Sequence, residues 1–205
     1  MLRVERLQVT GLPPLSFEVA DGECLAIEGA SGAGKTLVLR ALADLDASAG
    51  DVSVDGVGRR EMPAHVWRRR VRYCAAEPAW WAHTPRACLP ASPTPRLDRL
   101  MQALDLEPAL LDRPIATLST GERQRLALVR ALLDDPKVML LDEPTGALDP
   151  QASALVEELI RFQMLSGHCV VLVSHNRAQV ERLAHARLVL SKAAPPANGN
   201  AVGTP

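Results

Sequence analysis

Apolar positions along the chain recur with two periods, and where the period changes the expected element changes with it. Leu2, Val4, Leu7 and Val9, then Leu15, Phe17 and Val19, alternate loosely around the turn Gly11-Leu12-Pro13-Pro14, which predicts short strands of an edge sheet. Asp51–Gly56 reads as a further strand and turn, and Val71–Ala76 as another that Pro78 breaks. Glu23–Glu28 predicts a buried strand, and Val138–Leu141 and Cys169–Val173 are continuous apolar runs, the pattern of strands covered on both faces of a parallel sheet. A last strand is expected at Arg187–Leu190.

Helical spacing appears between these runs. Leu37–Leu42 predicts a helix directly after the first buried strand, and Gln151–Leu165 one that joins the two apolar runs. Leu97, Leu100, Met101 and Leu104 form a third stripe; Leu126, Val129, Leu132 and Leu133 form a fourth, beginning near Ser119 and stopped by Asp134-Asp135-Pro136. Between Glu77 and Pro95 the sequence is irregular, with Pro78, Pro85, Pro90, Pro93 and Pro95 and the adjacent Trp80 and Trp81. The order predicts one α/β domain over residues 1–192: a mainly parallel sheet, an N-terminal antiparallel β subdomain and a small helical insertion at about 77–135. Residues 193–205 are small, proline-bearing and without period, and are expected to be a disordered tail.

Composition narrows the function classes. A chain of 205 residues with a formal net charge of −1 has no global basic field, so nucleic acid is not expected as a partner; the arginines at 59, 60, 68, 69, 70 and 72 are the one local feature in its favour. A solvated face, or one turned to anionic lipid heads, accounts for them equally well. No apolar run approaches the roughly 20 residues needed to cross a bilayer, and the N-terminal residues lack the apolar core of a signal peptide, so a cytoplasmic chain is expected. Cys24, Cys74, Cys88 and Cys169 show no paired spacing and are expected as reduced, buried thiols.

The chemistry concentrates in four places. Gly29-Ala30-Ser31-Gly32-Ala33-Gly34-Lys35-Thr36, between a buried strand and a helix, is a full P-loop: Gly29, Ser31, Gly32, Ala33 and Gly34 turn backbone N–H groups inward around phosphate, Lys35 adds a positive charge, and the Thr36 hydroxyl can ligand Mg²⁺. Asp142-Glu143 ends an apolar strand at the carboxyl edge of the sheet; Asp142 suits Mg²⁺, and Glu143 suits orienting or deprotonating the attacking water. His175 reaches the same edge after the next strand, within range of the γ-phosphate or that water. Ser119-Thr120-Gly121-Glu122 opens a helix and offers a second anion site, compatible with a capping box from Ser119 to Glu122. One chain cannot use both anion sites on one nucleotide; two copies meeting head to tail would let each Ser119 segment close over phosphate held by the other's Lys35 loop.

With these motifs in this order the chain resembles the nucleotide-binding domain of ABC ATPases from Leu2 to Leu190. The resemblance makes Gly29–Thr36 the Walker A loop, Leu118–Glu122 the signature with Ser119, Gly121 and Glu122, Val138–Glu143 the Walker B strand with its catalytic glutamate, Gly146–Asp149 the D-loop and His175 the switch histidine. It implies the ABC ATPase fold, ATP and Mg²⁺ as ligands, an ATP-dependent homodimer, and service as the ATP-hydrolysing subunit of a transporter, held at the inner face of the membrane by an integral membrane permease. The loop from Glu77 to Pro95, with Trp80, Trp81 and His83, is the expected docking surface. The alternative within the family is a soluble ATPase acting on ribosomes or DNA; a P-loop kinase or GTPase would need neither the Ser119 segment nor His175.

Three departures from the family stand out. Ala76 occupies the position of a glutamine that reaches Mg²⁺ and the water, so either Glu77 substitutes or metal coordination and coupling are weakened. Gly11 or Leu12 falls where an adenine-stacking aromatic usually lies, and no aromatic precedes Phe17, which implies loose base selectivity. Thr120 and Glu122 replace the usual glycine and glutamine of the signature.

Overall fold

The computed structural model describes residues 1–89 and 95–191. The expected tail at 193–205 and Pro90 and Pro93 of the irregular segment lie outside the described residues. Two sheets organise the chain. Strands β1 (Leu2–Gln8) and β2 (Leu15–Val19) pair antiparallel, and further on β4 (Ala49–Val54) and β5 (Val57–Gly58) extend the same sheet in the order β2-β1-β4-β5. The second sheet begins with β3 (Cys24–Glu28) and continues with β6 (Val71–Cys74), β7 (Val138–Asp142), β8 (Cys169–Val173) and β9 (Ala186–Val189); every pairing in it is parallel, in the order β6-β7-β8-β3-β9.

Among the described residues six α-helices fill the connections: α1 (Lys35–Leu42), α2 (Ala64–Arg70), α3 (Pro95–Ala103), α4 (Thr120–Leu132), α5 (Pro150–Leu165) and α6 (Arg177–Leu183). Their starts are set by local chemistry. Asp149 caps α5 by accepting from Ala152 N at 2.9 Å, with Pro150 as the first helical residue, and Asn176 caps α6 by accepting from Gln179 N at 3.2 Å.

Burial explains why β7 and β8 read as unbroken apolar runs. Val138 and Leu140 of β7, with Cys169, Val171 and Val173 of β8, face a core shared with α1 and the antiparallel sheet. Met139 and Leu141, with Val170 and Leu172, face a second core shared with α3, α4 and α5. Each of these nine side chains is at most 1% exposed, and at roughly 1.5–3 kcal/mol per buried large aliphatic side chain the central strands fix the sheet's carboxyl edge firmly.

The helix α2 is an element that periodicity does not predict. Its sequence, Ala64-His65-Val66-Trp67-Arg68-Arg69-Arg70, carries one large anchor: Trp67 is fully buried and donates Nε1 to Leu42 O at 2.9 Å. Cys24, Cys88 and Cys169 are buried and Cys74 half-buried, all as free thiols; burial pushes Cys24 up to about 12, which keeps it un-ionised and unreactive at neutral pH. No helix among the described residues is long and apolar enough to cross a membrane.

Candidate functional site

The loop between β3 and α1 curls back on itself. Lys35, 8% exposed, donates Nζ to Gly29 O at 2.9 Å and Ala30 O at 3.2 Å, so its ammonium sits inside the curl. Two glycines are required by geometry. A Cβ on Gly29 would lie 2.8 Å from the carbonyl oxygen of Leu190, and Gly34, at φ +93°, adopts the left-handed conformation that starts α1, with Leu12 packed against it. The loop therefore gathers backbone N–H groups and one buried cation at a helix N-terminus, the physical requirements of a phosphate cradle.

Asp142 and Thr36 meet directly. The Thr36 hydroxyl donates to Asp142 Oδ2 at 2.8 Å, joining the end of the loop to the end of β7. The Asp142 side chain is buried, at 5% exposure, and Tyr73 OH donates to the same oxygen at 3.0 Å. Burial, with the Asp142 charge second, holds the Tyr73 phenol well above its ordinary pKa, so it remains a protonated donor.

Glu143 follows in a strained backbone conformation, φ +48°, rare for a residue with a side chain. Four hydrogen bonds hold it there: its N–H donates to Val173 O at 2.9 Å, its carbonyl accepts from Gln124 Nε2 at 2.9 Å and from Gly146 N at 3.1 Å, and its Oε2 accepts from His175 N at 3.1 Å. Among the described residues Oε1 is buried without a hydrogen-bond partner, 3.6 Å from His175 Nε2. A carboxylate oxygen so placed is a free acceptor beside the phosphate loop, and the exposed His175 ring stands next to it.

Ser119 and Glu122 form the capping box: Glu122 N donates to Ser119 Oγ at 3.1 Å, and Ser119 N donates to Glu122 Oε2 at 2.7 Å. The Ser119 N–H bond holds the Glu122 carboxylate below its usual pKa. Gly121 packs on the segment after β7, where an added Cβ would come 3.3 Å from Leu148 Cδ2. Asp149 is exposed; its N-cap bond from Ala152 lowers its pKa. Among the described residues the Ser119 segment makes no hydrogen bond or ion pair to the Gly29–Thr36 loop, so within one chain the two segments expected to bind anions stay separate.

Three polar residues outside the motif reading tie this site together. Gln124, 7% exposed, links the second turn of α4 to Glu143. Gln179, fully buried, donates Nε2 to Thr145 Oγ1 at 3.0 Å and to Glu157 Oε1 at 3.4 Å, joining the helix that starts beyond His175 to the loop that follows Glu143. Tyr73 completes the set. None of these contacts has a sequence signature, because each bridges elements far apart in the chain; a buried amide on an otherwise apolar helix face is the one available hint.

A groove of about 900 Å³ runs beside the site, lined by Arg40, Tyr73, Cys74, Glu77, Trp81 and Arg130 among others. The two tryptophans differ in burial. Trp81, 69% exposed, lines the groove, whereas Trp80 packs against the second core; the Arg130 guanidinium lies between them, 4.4 Å from the Trp80 ring and 4.5 Å from the Trp81 ring. His83 is exposed and contributes its carbonyl to Ile115 N rather than its ring to the groove.

The arginine cluster is largely consumed by intramolecular bonds. Arg59, 7% exposed, donates to Ala41 O and Ser48; Arg68 binds Asp44, Arg70 binds Asp55 and Arg72 binds Asp134. Their charges stitch α2 and β6 to acidic neighbours, which removes most of the local basic field that sequence suggests. Of the remaining histidines, His185 Nδ1 accepts from Cys24 N at 3.1 Å and His168 Nδ1 contacts Pro136 O at 2.8 Å, both packing roles.

Comparison with known proteins identifies the family of the chain. The sequence profile described as ABC transporter matches residues 12–146. The chain is 35% identical over 183 residues to the glycine betaine uptake system ATP-binding protein YehX of Escherichia coli, covering 83% of this chain and 59% of that one. It is 39% identical over 194 residues to the molybdenum import ATP-binding protein ModC of Rhodobacter capsulatus, covering 87% of this chain and 52% of that one. It thus spans little more than half the length of these curated relatives. A solved structure, the ATP-binding subunit of an ABC transporter, superposes with a TM-score of 0.83 at 26% identity, covering 93% of this chain and 85% of that one. The profile spans the phosphate loop, the Asp142-Glu143 pair and the Ser119 helix, and the chain belongs to the ABC transporter family.

Proposed function

We propose that the chain binds and hydrolyses ATP as the motor subunit of a membrane transporter, with two copies closing head to tail over two nucleotides and an integral membrane permease docking in the Trp81 groove. The observation that carries the reading is the single constellation at the sheet's carboxyl edge: Lys35 in its loop, Thr36 bound to Asp142, and Glu143 with one unpartnered buried oxygen beside His175.

The residues suit Mg²⁺, since a hydroxyl and a carboxylate oxygen 2.8 Å apart are hard donors of the kind that hold this ion together with water and substrate phosphates. Thr36 and Asp142 would hold it, and it would neutralise charge developing on the transferred phosphoryl group. The loop's N–H groups and Lys35 bind and orient the phosphates. Glu143 Oε1 takes the proton of the attacking water, and His175 steadies the same water or the γ-phosphate. Ser119 and Gly121 of the opposite copy close the site at the positive end of α4, and Asp149 caps α5 beside them. Closure excludes water and holds the reactants in line.

Relatives named as uptake-system and import ATP-binding proteins support the transporter role, and the groove with an exposed tryptophan and an arginine fits a short partner helix. The test is purification of tagged Glu143→Gln chain from detergent-solubilised membranes of its native host with ATP present. Recovery of one multi-spanning protein in near-equal amount is expected. Ribosomal or DNA-associated partners without a membrane protein would refute the transporter reading.

A further inference from the structure

Ala76 leaves this chain without the glutamine side chain its family places beside the metal, and Glu77 is exposed on the groove side. A different group reaches the metal-binding carboxylate. In the β6–β7 pairing Tyr73 lies opposite Leu140, so its ring shares the sheet face that carries Leu140 and, two residues on, Asp142. The ring packs against the core on that face and its hydroxyl reaches Asp142 Oδ2 at 3.0 Å. Thr36 donates to the same oxygen at 2.8 Å, so both donors converge on Oδ2 while Oδ1 carries neither.

We propose that Tyr73 is the positioning residue of the Mg²⁺ site: its hydroxyl fixes the rotation of the Asp142 carboxylate and so supplies the support that the missing glutamine at position 76 does not. An aspartate held by one donor can swing about its χ2 bond, which rotates broadly; two donors on one oxygen from two rigid elements remove that freedom. Tyr73 does not itself touch the metal. It acts through Asp142, and because its ring also lines the groove, the support sits between the nucleotide site and the surface offered to a partner. This inference rests on the proposed binding of Mg-ATP.

The experiment uses Tyr73→Phe, which keeps the packed ring and removes only the hydroxyl. Mn²⁺ binding to the full chain saturated with ATPγS is measured by electron paramagnetic resonance, and nucleotide affinity is measured separately in EDTA. The expected result is Mn²⁺ affinity weakened about tenfold, the lower end of what loss of an outer-shell partner costs, with affinity in EDTA unchanged. Adding Ala76→Gln to Tyr73→Phe should restore most of the lost metal affinity. Equal Mn²⁺ affinity in the Phe variant and the unaltered chain, or no recovery in the double variant, would overturn the inference. Failure of the unaltered chain to bind nucleotide in either condition would instead refute the proposed ATP-binding function.

Discussion

Replacing Glu143 by glutamine tests the assignment of the general base with little structural disturbance. The three bonds that hold the strained backbone, Glu143 N to Val173 O and Gln124 Nε2 and Gly146 N to Glu143 O, involve main-chain atoms of residue 143 and survive the change. The amide oxygen can replace Oε2 as acceptor for His175 N, now at 3.1 Å, and the amide nitrogen then occupies the buried, unpartnered position of Oε1. Shape is retained, and the one property lost is the ability of that atom to accept a proton from water. Loss of a positioned general base costs roughly 10²–10⁴ in rate. That corresponds to about 2.7–5.5 kcal/mol of barrier, so kcat should fall by that factor. Lys35 and Thr36 are untouched, so ATP affinity should stay within roughly threefold. Single-turnover phosphate release, paired with equilibrium binding of a fluorescent ATP analogue, measures both. Hydrolysis by the glutamine variant within roughly fivefold of the unaltered rate would show that Glu143 is not the base.

Two further outcomes follow from the polar residues around the site. Gln124→Leu removes the side-chain bond to the Glu143 carbonyl, keeps the one from Gly146 N, and leaves that backbone, at φ +48°, with one tie fewer; kcat should drop about tenfold with KM little changed, as steady-state kinetics would show, and an unchanged kcat would contradict the role assigned to this contact. The Arg182 bond chiefly depresses the pKa of Glu157, so its contribution to stability is complete above the ordinary glutamate pKa and is lost as pH falls through the depressed folded value. Melting temperature should therefore fall on acidification below the ordinary glutamate range, with a shallower fall in Glu157→Gln; parallel curves for the two proteins would contradict it.

Residues that act within one short segment were legible, because their chemistry needs contiguity. The phosphate loop, the acidic pair after an apolar strand, and the capping box from Ser119 to Glu122 each state their geometry locally, and β7 and β8 state their two-sided burial in their composition. What sequence hides is tertiary pairing. The arginines around α2 read as a basic face, yet Arg59, Arg68, Arg70 and Arg72 spend their charge on Ala41, Ser48, Asp44, Asp55 and Asp134. The helix itself is polar apart from Ala64, Val66 and Trp67, and Trp67 is its only buried side chain, so no periodic stripe announces it. Tyr73 and Gln179 read as ordinary strand and helix residues until β6 is laid beside β7 and α6 beside α5.

In the proposed mechanism two copies meet head to tail with a nucleotide between the Lys35 loop of one and the Ser119 helix of the other. Cross-linking between differently substituted chains tests this arrangement most directly. Chains carrying Glu143→Gln and Ala30→Cys are mixed with chains carrying Glu143→Gln and Ser119→Cys, then treated with a short bis-maleimide, and parental chains control for the native, mostly buried cysteines. The account predicts a cross-linked product joining the two different chains, dependent on Mg-ATP and absent from either chain alone. Cross-linking within the Ser119→Cys chains alone, or cross-linking indifferent to nucleotide, would contradict it.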